Sequence, residues 1–159
     1  MKIDRRRFLQ AVAILGALLA YATIVLGGTV RGMDAGLACP DWPLCHGHVV
    51  PDLGDPLVAV EYAHRLVAAL TTLFLLLTLI VAFVWFRSDR LLLTFSSASM
   101  ALLVTQVGFG ALTISSNLDW VVVTIHLALG TATFASGLLV AIVARRLPAV
   151  GVASPRPIE

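Results

Sequence analysis

The sequence predicts an all-α membrane protein, a bundle of four antiparallel transmembrane helices. Its mean hydropathy is +0.96 and 13% of its residues are charged, about half the share in ordinary soluble domains. Four apolar stretches are each long enough for the roughly 20 helical residues that cross a bilayer. They run from Phe8 to Val30, Leu66 to Phe86, Leu91 to Leu118 and Trp120 to Ala144. None alternates with period two, which excludes a lipid-facing β-barrel.

The first helix is predicted at about 8–30, directly after a run of arginines. Arg5-Arg6-Arg7-Phe8 resembles a twin-arginine export signal. However, the apolar stretch exceeds the 7–15 residues or so of a signal peptide, and no small-residue cleavage site follows it. We therefore expect a retained helix with a basic anchor.

The remaining helices are predicted at about 57–86, 91–115 and 120–144. The second helix should begin near Leu57, because apolar residues surround the charged group of Glu61, His64 and Arg65. Short connections place the second, third and fourth helices beside one another. We expect one domain over 1–147, with an outer loop at 31–56 and a flexible Pro/Gly/Ser-rich tail at 148–159.

The distribution of basic residues predicts the orientation in the membrane. Arg31 and Arg65 alone lie at one set of helix ends. The other basic residues lie at the opposite ends: Lys2, Arg5, Arg6, Arg7, Arg87, Arg90, Arg145, Arg146 and Arg156. Both termini should be cytoplasmic and the loops 31–56 and 116–119 should face outward from a cell membrane. The net charge of +2 reflects this topology, so no nucleic-acid partner is expected.

The outer loop contains both cysteines, together with Trp42, His46 and His48. A loop of this length without regular structure is usually functional or disordered, and its composition favours an ordered lid. Cys39 and Cys45 would face an oxidising compartment, which favours a disulfide, either structural or redox-active. The alternative is a soft-metal site shared with the two histidines, although the spacing differs from that of zinc sites.

Two histidines lie inside predicted spans, where ionisable residues are functional candidates. His64 follows Leu57 by seven residues and His126 follows Trp120 by six, which is about 10 Å of helix rise in each case. On neighbouring helices at matched depth, the two imidazoles could ligate one haem iron from opposite sides. The alternative is a pair of histidines hydrogen-bonded to carbonyls or to hydroxyls such as those of Thr71 and Thr124.

Glu61 precedes His64 by one helical turn and shares its face. Arg65 follows Glu61 by four residues, so a structural salt bridge between them is one interpretation. In the other, Glu61 is a catalytic carboxylate that accepts a proton beside the bound haem. Arg65 could instead bind a haem propionate through a charge-assisted contact. Gln106 on the third helix is interpreted as a helix-packing residue beside small residues.

Several of these motifs resemble the haem A synthase family. They comprise Gly27–Arg31, Gly36–Gly47, Glu61–Arg65, Gln106–Thr113 and His126–Leu129, within about residues 20–145. The resemblance implies oxidation of the C8 methyl of haem O to a formyl group, which gives haem A for terminal oxidases. It also implies that His64 and His126 flank a haem, either haem O as substrate or haem B as cofactor. Glu61 would assist the oxidation, and Cys39 and Cys45 would pair in the outer loop.

Members of that family usually have two similar halves, each with a histidine pair, and this sequence resembles the cysteine-bearing half. We therefore expect a homo-oligomer that restores two halves, with a haem O synthase and an electron acceptor as further partners. One alternative is a bis-histidine b-type cytochrome, which would not need Glu61. Another is a thiol oxidoreductase using Cys39 and Cys45, which would normally need a second cysteine pair. A structural assembly factor without haem is the third alternative.

Overall fold

The computed structural model describes residues 4–147, which contain four α-helices. They are α1 (Arg5–Gly32), α2 (Pro56–Trp85), α3 (Arg90–Ser115) and α4 (Trp120–Arg146). All four are long and apolar enough to cross a membrane, and no β-strand occurs within 4–147. The predicted all-α membrane class is confirmed, and the protein is a multi-pass membrane protein. The predicted flexible tail at 148–159 lies outside the described residues.

Each helix begins directly after an aspartate. The four residues are Asp4, Asp55, Asp89 and Asp119. Each carboxylate accepts hydrogen bonds from the first turn and places negative charge at the positive end of the helix dipole. α1 starts at Arg5, before the expected Phe8, and α4 runs to Arg146, beyond the expected Ala144. Hydropathy marks where a chain leaves the hydrocarbon, whereas helical hydrogen bonding continues past that point.

The four helices form a ring in which α1 contacts α2 and α4, and α3 contacts α2 and α4. α2 and α4 are therefore diagonally opposite, which corrects the expectation that they are direct neighbours. The first turn of α1 lies at the end of α4, where Arg6 Nη2 donates to the carbonyl of Arg145 at 3.0 Å. It also meets the end of α2, since the rings of Phe8 and Trp85 are 5.8 Å apart. We call this the arginine end and its opposite the cavity end.

The main buried core lies toward the arginine end. It consists of Leu9, Ala13, Val81, Ala82, Leu92, Val140, Ala141, Val143, Ala144 and Leu147. Many of these side chains are small, which lets helix backbones approach closely where lipid offers no hydrophobic drive for association. Large apolar side chains on the outside of the ring, such as Leu18, Phe83 and Val104, remain exposed, as lipid-facing positions require.

Two buried hydroxyl pairs tie the helices together between the core and the cavity end. Thr23 on α1 and Thr71 on α2 are 3.1 Å apart. Ser99 on α3 donates to Ser136 on α4 at 2.8 Å. These pairs lie in the two most extensive helix interfaces of the ring, that of α1 with α2 and that of α3 with α4.

The loop between α1 and α2, residues 33–55, folds over the cavity end. Cys39 and Cys45 form the predicted disulfide, and both are buried against Val58 at the start of α2. Cys45 and His48 exchange two backbone hydrogen bonds of 3.0 Å. The loop therefore has an ordered fold of its own, built around the disulfide.

Candidate functional site

A cavity of about 460 Å³ opens among all four helices at the cavity end. This volume lies within the range of small-molecule sites, roughly 300–1,000 Å³. Trp42 and Pro43 of the loop, with Leu118 of the α3–α4 connection, contribute to its lining. Its polar lining contains every residue that the sequence predicted for haem binding or catalysis: Glu61, His64, Arg65 and His126. The tertiary structure thus brings residues of α2 and α4 into one site.

His64 and His126 line this cavity from diagonally opposite helices. His64 lies eight residues after the start of α2 at Pro56, and His126 lies six after the start of α4 at Trp120. At about 1.5 Å per residue, both lie roughly 9–12 Å from their helix starts. The diagonal placement leaves the interior of the ring between the two helices. Their predicted role as haem ligands stays a prediction.

The ring of His126 is oriented by the backbone of α3. Its Nδ1 lies 3.0 Å from the carbonyl oxygen of Gln106. Because a carbonyl only accepts hydrogen bonds, Nδ1 must carry the proton, which leaves the lone pair of Nε2 for a metal. The side-chain amide of Gln106 packs on α4, where a Cβ added at Gly130 would lie 3.0 Å from Nε2 of Gln106.

Each histidine lies against a glycine of an adjacent helix. A Cβ added at Gly27 on α1 would be 3.2 Å from Nε2 of His64. A Cβ added at Gly110 on α3 would be 3.1 Å from Cε1 of His126. Any side chain at either position would press on an imidazole or fill the space beside it. Open space next to two imidazoles in an apolar cavity fits a flat, iron-containing macrocycle. From the sequence alone, Gln106 and the small residues beside it are interpreted only in terms of helix packing.

Glu61 is buried and forms the salt bridge that its spacing from Arg65 suggested. Its Oε1 accepts a hydrogen bond from Nε of Arg65 at 2.9 Å. Its Oε2 has no hydrogen-bond partner within residues 4–147, and the residue borders the cavity. Both interpretations of Glu61 are therefore compatible with one geometry, a paired carboxylate with one oxygen left for a ligand.

Most of the N–H donors of Arg65 form hydrogen bonds within the protein. Besides its bond to Glu61, it donates to the carbonyl oxygens of Cys39, Asp41 and Leu44, at 2.7, 2.7 and 2.6 Å. Four of the five N–H groups of the guanidinium are thereby engaged. A two-pronged contact with a haem propionate needs two free N–H groups. The predicted contact with haem stays a prediction, limited by this geometry to one remaining donor.

Asp41 organises the loop in a way that sequence analysis missed. Its carboxylate accepts hydrogen bonds from the backbone N–H groups of Gly47, at 2.7 Å, and His46, at 2.6 Å. These bonds, that of Gly47 foremost, hold the pKa of Asp41 below its usual value. Gly47 has a φ of +76°, which favours glycine. An aspartate shortly before a glycine turn was the available signal.

The two loop histidines do not line the cavity. The ring Nε2 of His46 donates to the carbonyl of Ala38 at 2.8 Å, and His48 is exposed. With Cys39 and Cys45 joined, the loop offers no thiolate for a metal. No cluster of three or more metal-binding side chains occurs among residues 4–147. The geometry therefore favours the disulfide over the alternative of a soft-metal site.

Comparison with protein families adds an independent observation. The profile of the family described as cytochrome oxidase assembly protein (COX15-CtaA) matches residues 10–59 and 54–157. The chain belongs to this family. The matched segments contain the cysteine loop, Glu61 with Arg65, and both cavity histidines.

Individual relatives include haem A synthases, which confirms the predicted resemblance. Heme A synthase of Shouchella clausii is 35% identical over 64% of this chain and 34% of its own length. Heme A synthase of an Exiguobacterium species is 31% identical over 85% of this chain and 44% of its own. Protoheme IX farnesyltransferase 1 of Natronomonas pharaonis is 36% identical over 72% of this chain and 23% of its own. The chain thus spans less than half the length of these relatives.

Proposed function

We propose that this protein is a haem A synthase, an oxidoreductase that converts the C8 methyl of haem O into the formyl group of haem A for terminal oxidases. The observation that carries the proposal is the pair of imidazoles and the buried carboxylate around one apolar cavity. The names of the Shouchella and Exiguobacterium relatives support the same activity.

His64 and His126 would hold the iron of a haem bound between α2 and α4. A haem there would supply the iron redox chemistry, with haem O as substrate or haem B as cofactor. The hydrogen bond from Nδ1 of His126 to the carbonyl of Gln106 supports this role, because it presents Nε2 as the ligand atom. The two rings pack directly on Gly27 and Gly110, where any side chain would press on an imidazole.

Glu61 is the proposed catalytic residue. Its free Oε2 can accept a proton released at the reacting carbon, while Arg65 compensates the carboxylate charge. Arg65 borders the same cavity, and its remaining N–H is available to a haem carboxylate. A carrier of electrons alone would not need a carboxylate at this position, so Glu61 favours the enzyme over a b-type cytochrome.

The helices are proposed to run antiparallel, with both termini in the cytoplasm. The basic residues concentrate at the arginine end, where the start of α1 meets the ends of α2 and α4. This orientation directs the disulfide loop and the haem site toward the outer face of the cell membrane. Reporter fusions at the two termini and in the loop test it, and an externally exposed terminus would contradict it.

A second four-helix unit is proposed to complete the enzyme. The matches of 105 and 138 residues cover 34% and 44% of the two haem A synthase relatives, which are therefore about 310 residues long, roughly twice the 159 residues of this chain. One further unit of similar size would match them in length. A second copy of this chain is the proposed source, giving a homo-oligomer. The Natronomonas relative, named for farnesyl transfer to protohaem, supports a partnership with a haem O synthase. An electron acceptor would be the third partner.

The deciding experiment is coexpression with a source of haem O, followed by pigment extraction and chromatography. Haem A in cells with the wild-type chain, and its absence with Glu61→Gln, is the expected result. The Glu61→Gln protein should still retain haem, because its carboxamide leaves both histidines in place. Haem B alone in the wild-type protein would instead favour the cytochrome, and protein without any haem would overturn the proposal.

A further inference from the structure

All three loop carbonyls that bind Arg65 come from the segment that the disulfide closes into a ring. They belong to Cys39, Asp41 and Leu44, and the ring is closed between Cys39 and Cys45. Carbonyl oxygens carry partial negative charge, so their convergence stabilises a cation without neutralising it. We call these three carbonyls the carbonyl cradle.

The carbonyl cradle and Glu61 bind the same guanidinium through different nitrogens. Nη1 and Nη2 of Arg65 donate to the cradle, whereas Nε donates to Oε1 of Glu61. The side chains of Arg65 and Glu61 are 14% and 7% exposed, so little water competes for these bonds. Because the guanidinium is planar and rigid, any shift of the cradle changes the direction of the Nε–H at Glu61.

The loop contributes no competing charge to this arrangement. The carboxylate of Asp41, which could otherwise pair with Arg65, is occupied by the N–H groups of His46 and Gly47. Within residues 4–147, Glu61 is the single acidic partner of Arg65. The charge and orientation of the Glu61 carboxylate therefore depend on Arg65 alone among these residues, and the position of Arg65 depends on the disulfide ring.

We propose that Arg65 is a positioning residue that couples the disulfide ring of the loop to Glu61. The closed ring holds the guanidinium, the guanidinium holds the carboxylate at the cavity wall, and the same bonds keep the loop over the cavity. Reduction by a dithiol gives two cysteine thiols while the reagent becomes a cyclic disulfide. This opens the ring and releases the cradle. The effect on the loop is independent of the proposed reaction, whereas the effect on turnover depends on it.

The loop half of the coupling is tested by the rate at which dithiothreitol reduces the disulfide. The full chain is embedded in lipid vesicles, and free thiols are alkylated and counted by mass spectrometry. Because Cys39 and Cys45 are buried, reduction needs the loop to open. Loss of the charged hydrogen bonds in Arg65→Gln should accelerate reduction by at least about tenfold. Arg65→Lys, which keeps the charge but not the fork, should give an intermediate rate.

Arg31→Gln is the matched control for this rate. Arg31 also lines the cavity, but its side chain is 66% exposed and pairs with Asp34 outside the disulfide ring. Reduction of the control should proceed at the wild-type rate. An unchanged rate in Arg65→Gln, or an equal acceleration in Arg31→Gln, would overturn the coupling.

The second half of the coupling is tested by comparing turnover with haem retention. Arg65→Gln should lower turnover more than haem retention, because the two histidines would hold the iron and Arg65 has only one N–H left for a haem carboxylate. Replacing both cysteines by serine should lower turnover less, and the combined variant should resemble Arg65→Gln alone, because one chain of contacts is broken. Additive losses would overturn the proposal, and so would parallel losses of haem and turnover. A wild-type protein without turnover would refute the proposed function but leave the reduction test intact.

Discussion

At the arginine end, α1, α3 and α4 meet through Leu9, Leu92 and Val140, each at most 1% exposed. At the cavity end the same ring of helices surrounds an open volume of about 460 Å³. The apolar composition of the helices does not explain this difference. At one end, aliphatic side chains fill the ring. At the other, the imidazoles of His64 and His126 pack against glycines and border the open cavity.

This contrast separates what holds the helices together from what the protein binds. The filled end should set the stability of the bundle, because packing is the main source of helix association in lipid. The open end should contribute little to stability and much to ligand binding. Substitutions at the two ends should therefore change different measured quantities.

The largest effect on stability is expected for Leu92→Ala at the arginine end. Leu92 is fully buried, so its truncation leaves a cavity and should lower the free energy of unfolding by about 2–5 kcal/mol. Denaturant titration in detergent measures this, with Leu91→Ala as the neighbouring control. Leu91 is 51% exposed, and its truncation should cost under about 0.5 kcal/mol. Similar losses in both variants would contradict the prediction that the packed core at the arginine end sets the stability of the bundle.

The largest effect on binding is expected for His64→Ala and His126→Ala at the cavity end. Each should reduce haem affinity by at least about 100-fold, since loss of a ligand should exceed the effect of losing its supporting partners. Haem absorbance of the purified protein and titration with added haem measure this. His48→Ala, which removes an exposed loop imidazole, should leave affinity unchanged. Equal affinity in all three variants would exclude His64 and His126 as ligands of the haem iron.

A smaller effect is expected from single methyl groups beside the imidazoles. Gly27→Ala and Gly110→Ala should weaken haem binding by about fivefold, because a crowded imidazole and an off-rotamer side chain cost about 1 kcal/mol. Gly28→Ala and Gly108→Ala are matched controls, since an added Cβ there meets nothing within 4 Å. All four alanines are better helix formers than glycine. If haem affinity changed equally in all four variants, the cause would be the altered helix propensity and not crowding of the imidazoles.

The smallest effect is expected from the two backbone hydrogen bonds that the Asp41 carboxylate accepts in the loop over the cavity. The pKa of Asp41 is lowered in the folded chain. The charged carboxylate therefore stabilises the folded loop above its ordinary pKa of 3.8, and this stabilisation is lost as the pH falls through the folded-state pKa. Amide hydrogen exchange of residues 39–48 at neutral pH should be faster in Asp41→Asn than in the wild type. The difference should shrink as the pH falls below 3.8, after correction for intrinsic exchange. The Asp52→Asn control, whose carboxylate accepts only from Gly54 in the described loop, should leave this segment unchanged.

The spans and candidate residues could be predicted because hydropathy and charge are properties of individual side chains. Glu61, His64 and His126 stood out as ionisable residues in apolar surroundings, and all three border one cavity. The expectation that α2 and α4 are neighbours was wrong. Short connections determine only that consecutive helices are adjacent, and they do not determine which helices close the ring. α1 closes the ring by packing on both α2 and α4.

The amino-acid sequence alone determined the membrane class and the family, since each depends on residue types and their order. Only the tertiary structure decided how Arg65 is used and why Gly27 and Gly110 matter. The partners of Arg65 in the loop are backbone carbonyls, which every residue carries, so no sequence pattern marks them. The two glycines matter through the absence of a side chain opposite an imidazole on another helix, and that becomes visible only when the helices are packed.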